Sequence, residues 1–276
     1  MRKAKDKTLN FLMSLCAAVT CLLLIGLIGY LLYRGIPGIN ANFLTTQTSY
    51  ISDSIGILPN ILNTLYLIVL VMIIVVPLGV GAAVYLTEYA SNKRISNAIG
   101  FAVETLTGIP SIIFGLVGML FFTQILGLRQ GILAGSLTLI IMVLPTVISN
   151  TKESLLAVPQ SYREGALALG SGKWHMVRTV VLPNAVDGIV TGCILAVGRV
   201  VGESAALLFT AGFGLKLLGF AEALQSSAAS LTVALYIYAS EEGKFDVAFA
   251  IAVILICITL IINLAASLVG KKVRKS

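Results

Sequence analysis

Asn60 to Leu86 reads NILNTLYLIVLVMIIVVPLGVGAAVYL and carries no charged side chain. A bilayer core roughly 30 Å thick needs about 20 apolar residues of helix to cross it, so this run is long enough to span a membrane. Working outward, comparable runs lie at Phe11 to Leu32, Asn97 to Phe122, Ile132 to Ser149, Ala185 to Thr210 and Phe245 to Leu268. The pattern predicts an all-α polytopic membrane protein with six transmembrane helices. Of the 276 residues, 58% are hydrophobic and 11% charged, whereas soluble domains average about half and a quarter. Charges this sparse cannot coat the surface of a globule, which excludes a water-soluble fold.

The charge pattern sets the expected topology. Lys and Arg number 19 against 12 Asp and Glu, a net +7, but the basic residues sit between apolar runs. They form no basic face interleaved with aromatics, which argues against nucleic-acid binding. With the N-terminus in the cytoplasm, the basic clusters at Arg2 to Lys7, Lys93–Arg94, Lys152 to Arg178 and Lys271 to Lys275 all fall inside. Only Arg34, Arg129, Lys216 and Lys244 fall outside, and Arg199 lies within a span. The positive-inside rule therefore places both termini in the cytoplasm. Arg34 to Pro59 and Ala211 to Lys244 become external, and Asn150 to Asn184 is the longest cytoplasmic segment.

The first run follows a basic lead-in as a signal peptide does, yet its apolar stretch is too long and no A-x-A site follows. It reads as a retained anchor, and residues 1–59 as anchor plus an external segment of loop composition. Residues 60–268 then form the membrane core, and 269–276 a basic cytoplasmic tail. Cys16, Cys21, Cys193 and Cys257 lie in apolar runs without a CxxC pair, which predicts buried free thiols. With His175 the only histidine, no metal site is expected. Pro77 and Pro145 predict kinks inside packed helices.

The cytoplasmic stretch NTKESLLAVPQSYREGALALGSGKWHMVRTVVLPN has helical periodicity despite its charge. Ser161 is placed to cap a short helix with Glu164 three residues on, and Gly170 and Gly172 to stop it. A second helical turn from Trp174 to Val181 is expected to end near Pro183. A short amphipathic helix here reads either as one lying among lipid headgroups or as a docking surface. Glu164, Gly165, Ala166, Gly170, Val180, Leu182 and Pro183 fall at the spacing of the EAA loop, and the segment resembles that of ABC importer permeases. Gly165 stands where that family has alanine and Val180 where it has isoleucine. The resemblance implies a coupling helix that docks in a cleft of an ATP-binding subunit, with Glu164 making the polar contact and Ala166 and Gly170 allowing close approach. The chain has no G-x-x-x-x-G-K-[ST] sequence, so ATP would be bound by a separate subunit and this chain carries no cofactor of its own.

Arg199 is the costliest residue to place in lipid, at roughly 2.5–3.5 kcal/mol on insertion scales. Glu203, four residues on, is expected on the same helical face and in an ion pair with it. Gly188 and Gly192 continue that face, and with Gly198 and Gly202 they are expected to let helices pack closely. The pair has three readings. It is a structural salt bridge, a pathway for an anion that arginine's planar fork would bind, or a weaker candidate for a proton relay.

GRVVGESAALLFTAG (Gly198 to Gly212), GIPSIIFGL (Gly108 to Leu116) and ALGSGKWHMVRTVVLPNAVDGIVTG (Ala168 to Gly192) are similar to phosphate-uptake, Pst-type permeases. The ending and the short N-terminus favour the PstA type over PstC. This resemblance implies a type I ABC importer permease fold, MetI-like, in a bacterial or archaeal plasma membrane. It puts Arg199 and Glu203 at the translocation pathway. Ser111, which follows Pro110 in the third span, is a weaker candidate as an anion donor, an intrahelical bond being the commoner use of such a hydroxyl. The implied partners are a PstC-type second permease, an ATP-binding subunit dimer and an extracytoplasmic phosphate-binding protein. A permease for phosphonate, sulfate or molybdate is the alternative within the class, and a passive anion channel outside it. A lipid-modifying membrane enzyme would need a cluster of acids or histidines that the sequence lacks.

Overall fold

In the computed structural model, residues 2–49 and 54–275 are described; residues 50–53 of the expected external segment and Ser276 of the tail lie outside them. The chain begins with α1 (Arg2–Gly35), a helix whose apolar side chains stay exposed from Leu9 to Tyr30, as befits a solvent of lipid. It leans on the last helix, α13 (Phe245–Lys275). Arg34 Nη2 donates to Asp246 Oδ1 at 3.0 Å, and its guanidinium lies 5.5 Å from the Phe249 ring centroid. Gly35 meets the Phe249 backbone so closely that any Cβ would collide with its carbonyl.

The segment read as a loop is folded. A 3-10 turn at Ile36–Gly38 leads to α2 (Ala41–Thr45), capped by Asn40, whose side chain accepts from Phe43 N at 2.8 Å. An antiparallel hairpin follows, β1 (Gln47–Ser49) against β2 (Ser54–Ile57), with Gln47 opposite Ile57. Phe43 and Ile57 are buried with Leu231, Tyr238 and Ile251, and Thr48 Oγ1 lies 2.9 Å from the Tyr238 hydroxyl. The strands are too short for alternation to show in the sequence.

The centre is built by three long helices. α3 (Leu58–Val84) runs on as a π-helical turn, Tyr85–Tyr89. It presents Leu67, Val71 and Val75, a spacing of four that keeps them on one face, to Leu139, Val143 and Val147 of α6 (Ile132–Leu156). Ala196, Val197, Val200 and Val201 of α9 (Leu182–Gly202) close the core. Pro77 and Pro145 sit inside α3 and α6, which remain continuous.

The expected third span is broken. α4 (Lys93–Thr107) ends before Gly108–Pro110, and α5 (Ser111–Gly118), extended by a π-helical turn at Met119–Ile125, leaves at 100°. Pro110 adopts φ −57, ψ 138, and proline disfavours helical geometry in the residue before it. Each half is about 22 Å long at 1.5 Å per residue, less than the hydrocarbon core. Among the described residues five helices are long and apolar enough to cross a membrane, and this bent pair makes a sixth if counted as one span.

Between α6 and α9 lie α7 (Gln160–Ala168), α8 (Lys173–Met176) and a π-helical turn, Val177–Val181, that leads directly into α9. The expected stop at Pro183 does not occur, because Pro183 falls in the first turn of α9, where a missing N–H matters little. The fifth span therefore starts earlier than Ala185 and stops at Gly202 instead of Thr210. Beyond it, α10 (Ala205–Thr210) takes up the end of the expected fifth span, and α11 (Phe220–Ala223) and α12 (Leu231–Tyr236), with a π-helical turn at Ile237–Glu241, lie in the segment expected to be external. Asn60 and Asn63 Nδ2 both donate to Ala229 O, at 3.0 and 3.1 Å, and Leu231 N donates to Thr64 Oγ1 at 2.9 Å. These bonds tie the returning chain to the start of α3. The four cysteines are free, but Cys16, Cys21 and Cys257 are exposed on the chain surface and Cys193 is half-buried. An apolar run identifies a lipid-compatible side chain and does not say whether lipid or protein covers it.

Candidate functional site

Two places gather the residues singled out in the sequence, and the first is the end of α9. The helix unwinds at Glu203, whose backbone is extended at φ −80, ψ 123, so the four-residue relation to Arg199 no longer places them on one face. The expected ion pair does not form. Glu203 Oε1 accepts from Ala206 N at 2.9 Å and caps α10, while its carbonyl accepts from Thr232 Oγ1 at 2.8 Å. The residue is 8% exposed. Arg199 is half-buried and reaches only Thr146 Oγ1 of α6, at 3.4 Å. Among the described residues no carboxylate pairs with it.

The glycine stripe divides. A Cβ on Gly188 would collide with Ser154 Oγ, and one on Gly192 would come 2.8 Å from Asn150 Cβ, so this half presses α9 onto α6. Gly198 and Gly202 meet nothing within 4 Å. They are not packing contacts within this chain and instead border a groove of about 270 Å³ with Thr232, Leu255 and Thr259. Ser111 opens α5 and is half-buried, whereas the side-chain hydrogen bonds of Arg199 and Glu203 go to Thr146 and Ala206.

The second place is the turn built on α7. Its start differs from expectation. Pro159 precedes the first helical residue and Tyr162 N donates to Pro159 O at 3.1 Å, so Ser161 lies within the helix and caps nothing. Its end is a Schellman motif. Ser171 N donates to Ala166 O at 3.1 Å and Gly170 N to Leu167 O at 3.0 Å, with Gly170 at φ +82, a region in which other L residues are strained. Glu164, Gly165 and Gly170 face outward, and Leu169 is 90% exposed. Ala166 packs inward on the cluster of Leu155, Met176 and Val181. A groove of about 620 Å³ runs beside Tyr162, Gly165, Leu169, His175 and Thr179. Leu182 and Pro183 belong to the first turn of α9, where Leu182 packs on the same cluster as Ala166.

Sequence reasoning missed what holds α7 in place. Arg163 Nε and Nη2 donate to Glu88 Oε1 at 3.0 and 2.9 Å, and its Nη1 and Nη2 donate to Val158 O and Leu155 O, each at 2.7 Å. The side chains of Arg163 and Glu88 are 11% and 6% exposed. Next to Glu88, the Tyr89 ring lies 5.1 Å from Lys173 Nζ. A glutamate at the end of an apolar run was the available signal, but its partner lies too far along the chain for spacing to reveal it.

Residues 75–275 match the family of the binding-protein-dependent transport system inner membrane component. The probable ABC transporter permease protein YqgI of Bacillus subtilis is 37% identical over 99% of this chain and 98% of its own length. The phosphate transport system permease protein PstA of Xylella fastidiosa is 35% identical over 66% of this chain and 63% of its own. Among solved structures, a bacterial alginate ABC transporter in complex with an alginate-bound periplasmic protein aligns with a TM-score of 0.69 and 18% identity, covering 100% of this chain and 98% of that one. The inward-facing MetNI methionine ABC transporter aligns with 0.62 and 23%, covering 79% and 94%. At these identities the structural likeness is one of fold, the type I, MetI-like importer permease. The long apolar helices, the EAA-spaced turn on α7 and the family match agree, and the chain belongs to the binding-protein-dependent ABC importer permeases, as a multi-pass transport subunit and not an enzyme.

Proposed function

We propose that this chain is one half of the translocation pathway of an ATP-driven inorganic phosphate importer. The observation that carries the reading is Arg199, a guanidinium in an apolar helix with no carboxylate partner among the described residues, one residue from the open Gly198 face. A half-buried charge within a membrane span is costly without a counter-ion, and a passing tetrahedral oxyanion would supply one through paired hydrogen bonds. Relatives named phosphate transport system permease protein PstA support this substrate.

In this reading both termini and α7 are cytoplasmic, and residues 60–268 form the core between the anchor and the basic tail. A second, PstC-type permease completes the path, and an extracytoplasmic phosphate-binding protein delivers the anion. A dimer of ATP-binding subunits docks on the outward side of α7, with Glu164 and Gly165 exposed to it. ATP closes that dimer, and the shift between outward and inward states follows from differential contacts with it. Gly170 keeps the docking turn compact, while Gly188 and Gly192 fix α9 to α6 so that Arg199 moves with the bundle.

Uptake of labelled phosphate by vesicles holding the assembled complex tests the assignment. ATP-dependent accumulation, resisting excess sulfate, molybdate and phosphonate, is the expected result. Accumulation of one of those anions in place of phosphate overturns the substrate, and flux without ATP overturns the pump.

A further inference from the structure

The π-helical turn Tyr85–Tyr89 at the end of α3 is held from both sides by the segment that carries the docking turn. Arg163 of α7 grips Glu88 with two hydrogen bonds to one carboxylate oxygen, and Lys173 of α8 lies over the ring of Tyr89. Arg163 also donates to Leu155 O at the end of α6 and to Val158 O just beyond it, so one guanidinium joins α3, α6 and α7. Around it, Ala83 and Val84 of α3 pack with Leu155, Val158, Met176 and Val177. π-helical turns interrupt regular α-helical bonding and recur at functional sites. Charge-assisted bonds, nearly dry, resist separation far better than exposed ones.

We infer that Arg163 and Glu88 are positioning residues that carry displacement of α7 onto α3, making the Tyr85–Tyr89 turn the mechanical link between the docked ATPase and the pathway helices. Four features support this over a static brace. The pair joins two elements and does not stabilise one of them internally. Arg163 is followed in the chain by Glu164, which is exposed. Earlier along its length, α3 packs against the core of α6 and of α9, the helix that carries Arg199. Finally, the link ends in a π-helical turn, a departure from regular helix of the kind found at functional sites. The inference rests on the docking of an ATP-binding subunit at α7, proposed above.

The test uses the complete transporter, purified through this chain, with its native cysteines replaced and spin labels at Ile73→Cys on α3 and Ile261→Cys on α13, both exposed positions. Distances are measured without nucleotide and after trapping with ATP and vanadate, for the native pair, Glu88→Gln, Arg163→Lys and the swap Glu88→Arg with Arg163→Glu. The readout needs no transported substrate, so a wrong substrate leaves it intact. The expected result is a distance shift on trapping in the native pair. That shift is lost in Glu88→Gln although the ATPase subunit is still retained and still traps nucleotide, is reduced in Arg163→Lys, and is restored in part by the swap. An undiminished shift in Glu88→Gln overturns the link, as does a native pair that shows no shift. Loss of the ATPase subunit from Glu88→Gln and Arg163→Lys alike, with the swap no better, makes the pair a static brace and also overturns it. A native chain that recovers no ATPase subunit overturns the docking reading, and the link with it.

Discussion

The carboxylate of Glu203 accepts the backbone N–H of Ala206 at 2.9 Å and leaves Arg199, one turn back along the chain, without an acid partner among the described residues. One interaction thus does two things. It starts α10 after the break in α9, and it withholds the counter-ion that would neutralise the arginine. A salt bridge inside the bundle would have made Arg199 a strut. Capping by Glu203 makes it an available donor.

Substitution of Glu203 separates these effects. Glu203→Gln keeps an acceptor oxygen for Ala206 N, whereas Glu203→Ala removes the cap, worth about 0.5–2 kcal/mol. Thermal unfolding of the purified complex should place Glu203→Gln near the native chain and Glu203→Ala below it, with uptake falling in the same order.

The divided glycine stripe makes opposed predictions for one substitution. Gly192→Val drives side-chain atoms into Asn150 and Gly188→Val into Ser154, overpacking that costs about 1–3 kcal/mol. Gly198→Ala meets nothing in this chain. Yield and melting temperature in detergent should fall for the first two and hold for the third.

Gly170→Ala places a Cβ at φ +82, at a cost of roughly 1–2 kcal/mol. The Schellman turn should loosen, seen as faster amide exchange at Gly170 and Ser171, and less ATPase subunit should be recovered with the chain. Gly170→Asn, which tolerates that backbone region better, should lie between the two.

Two ion pairs with similar distances should differ widely in worth. Arg34–Asp246 is 3.0 Å long but its side chains are 44% and 84% exposed, and exposed pairs contribute about 0–1 kcal/mol. Removing Glu88 takes the counter-ion from the nearly dry Arg163 and leaves it only the carbonyls of Val158 and Leu155, and breaking a buried pair costs about 3–5 kcal/mol. Denaturation of Arg34→Gln and Glu88→Ala should show a small and a large loss of stability respectively.

Much of the fold was legible in the sequence because lipid imposes a coarse, one-dimensional code. Runs such as Asn60 to Leu86 announce themselves by length alone. The code failed where the chain breaks within apolar sequence. The proline at 110 was visible but not the 100° bend, and nothing in GRVVGES marks the unwinding at Glu203, since capping of Ala206 and pairing with Arg199 use the same carboxylate. Helical spacing chose the pair, and the end of the helix removed it. The end of α7 at Gly170 was legible, because a positive-φ turn after a short helix demands glycine at a fixed position. Spacing could not find Glu88, whose relation to Arg163 exists only after α3 and α7 have packed. The small elements at α2, β1 and β2 were hidden by brevity, being held by distant residues such as Tyr238.

The most direct test of the account is ATP-driven phosphate uptake by vesicles holding the assembled complex, comparing the native chain with Arg199→Gln and Arg199→Lys. The account predicts full assembly in all three, uptake abolished in Arg199→Gln and weakened in Arg199→Lys, because a point charge replaces the planar fork. Native uptake by Arg199→Gln would contradict it.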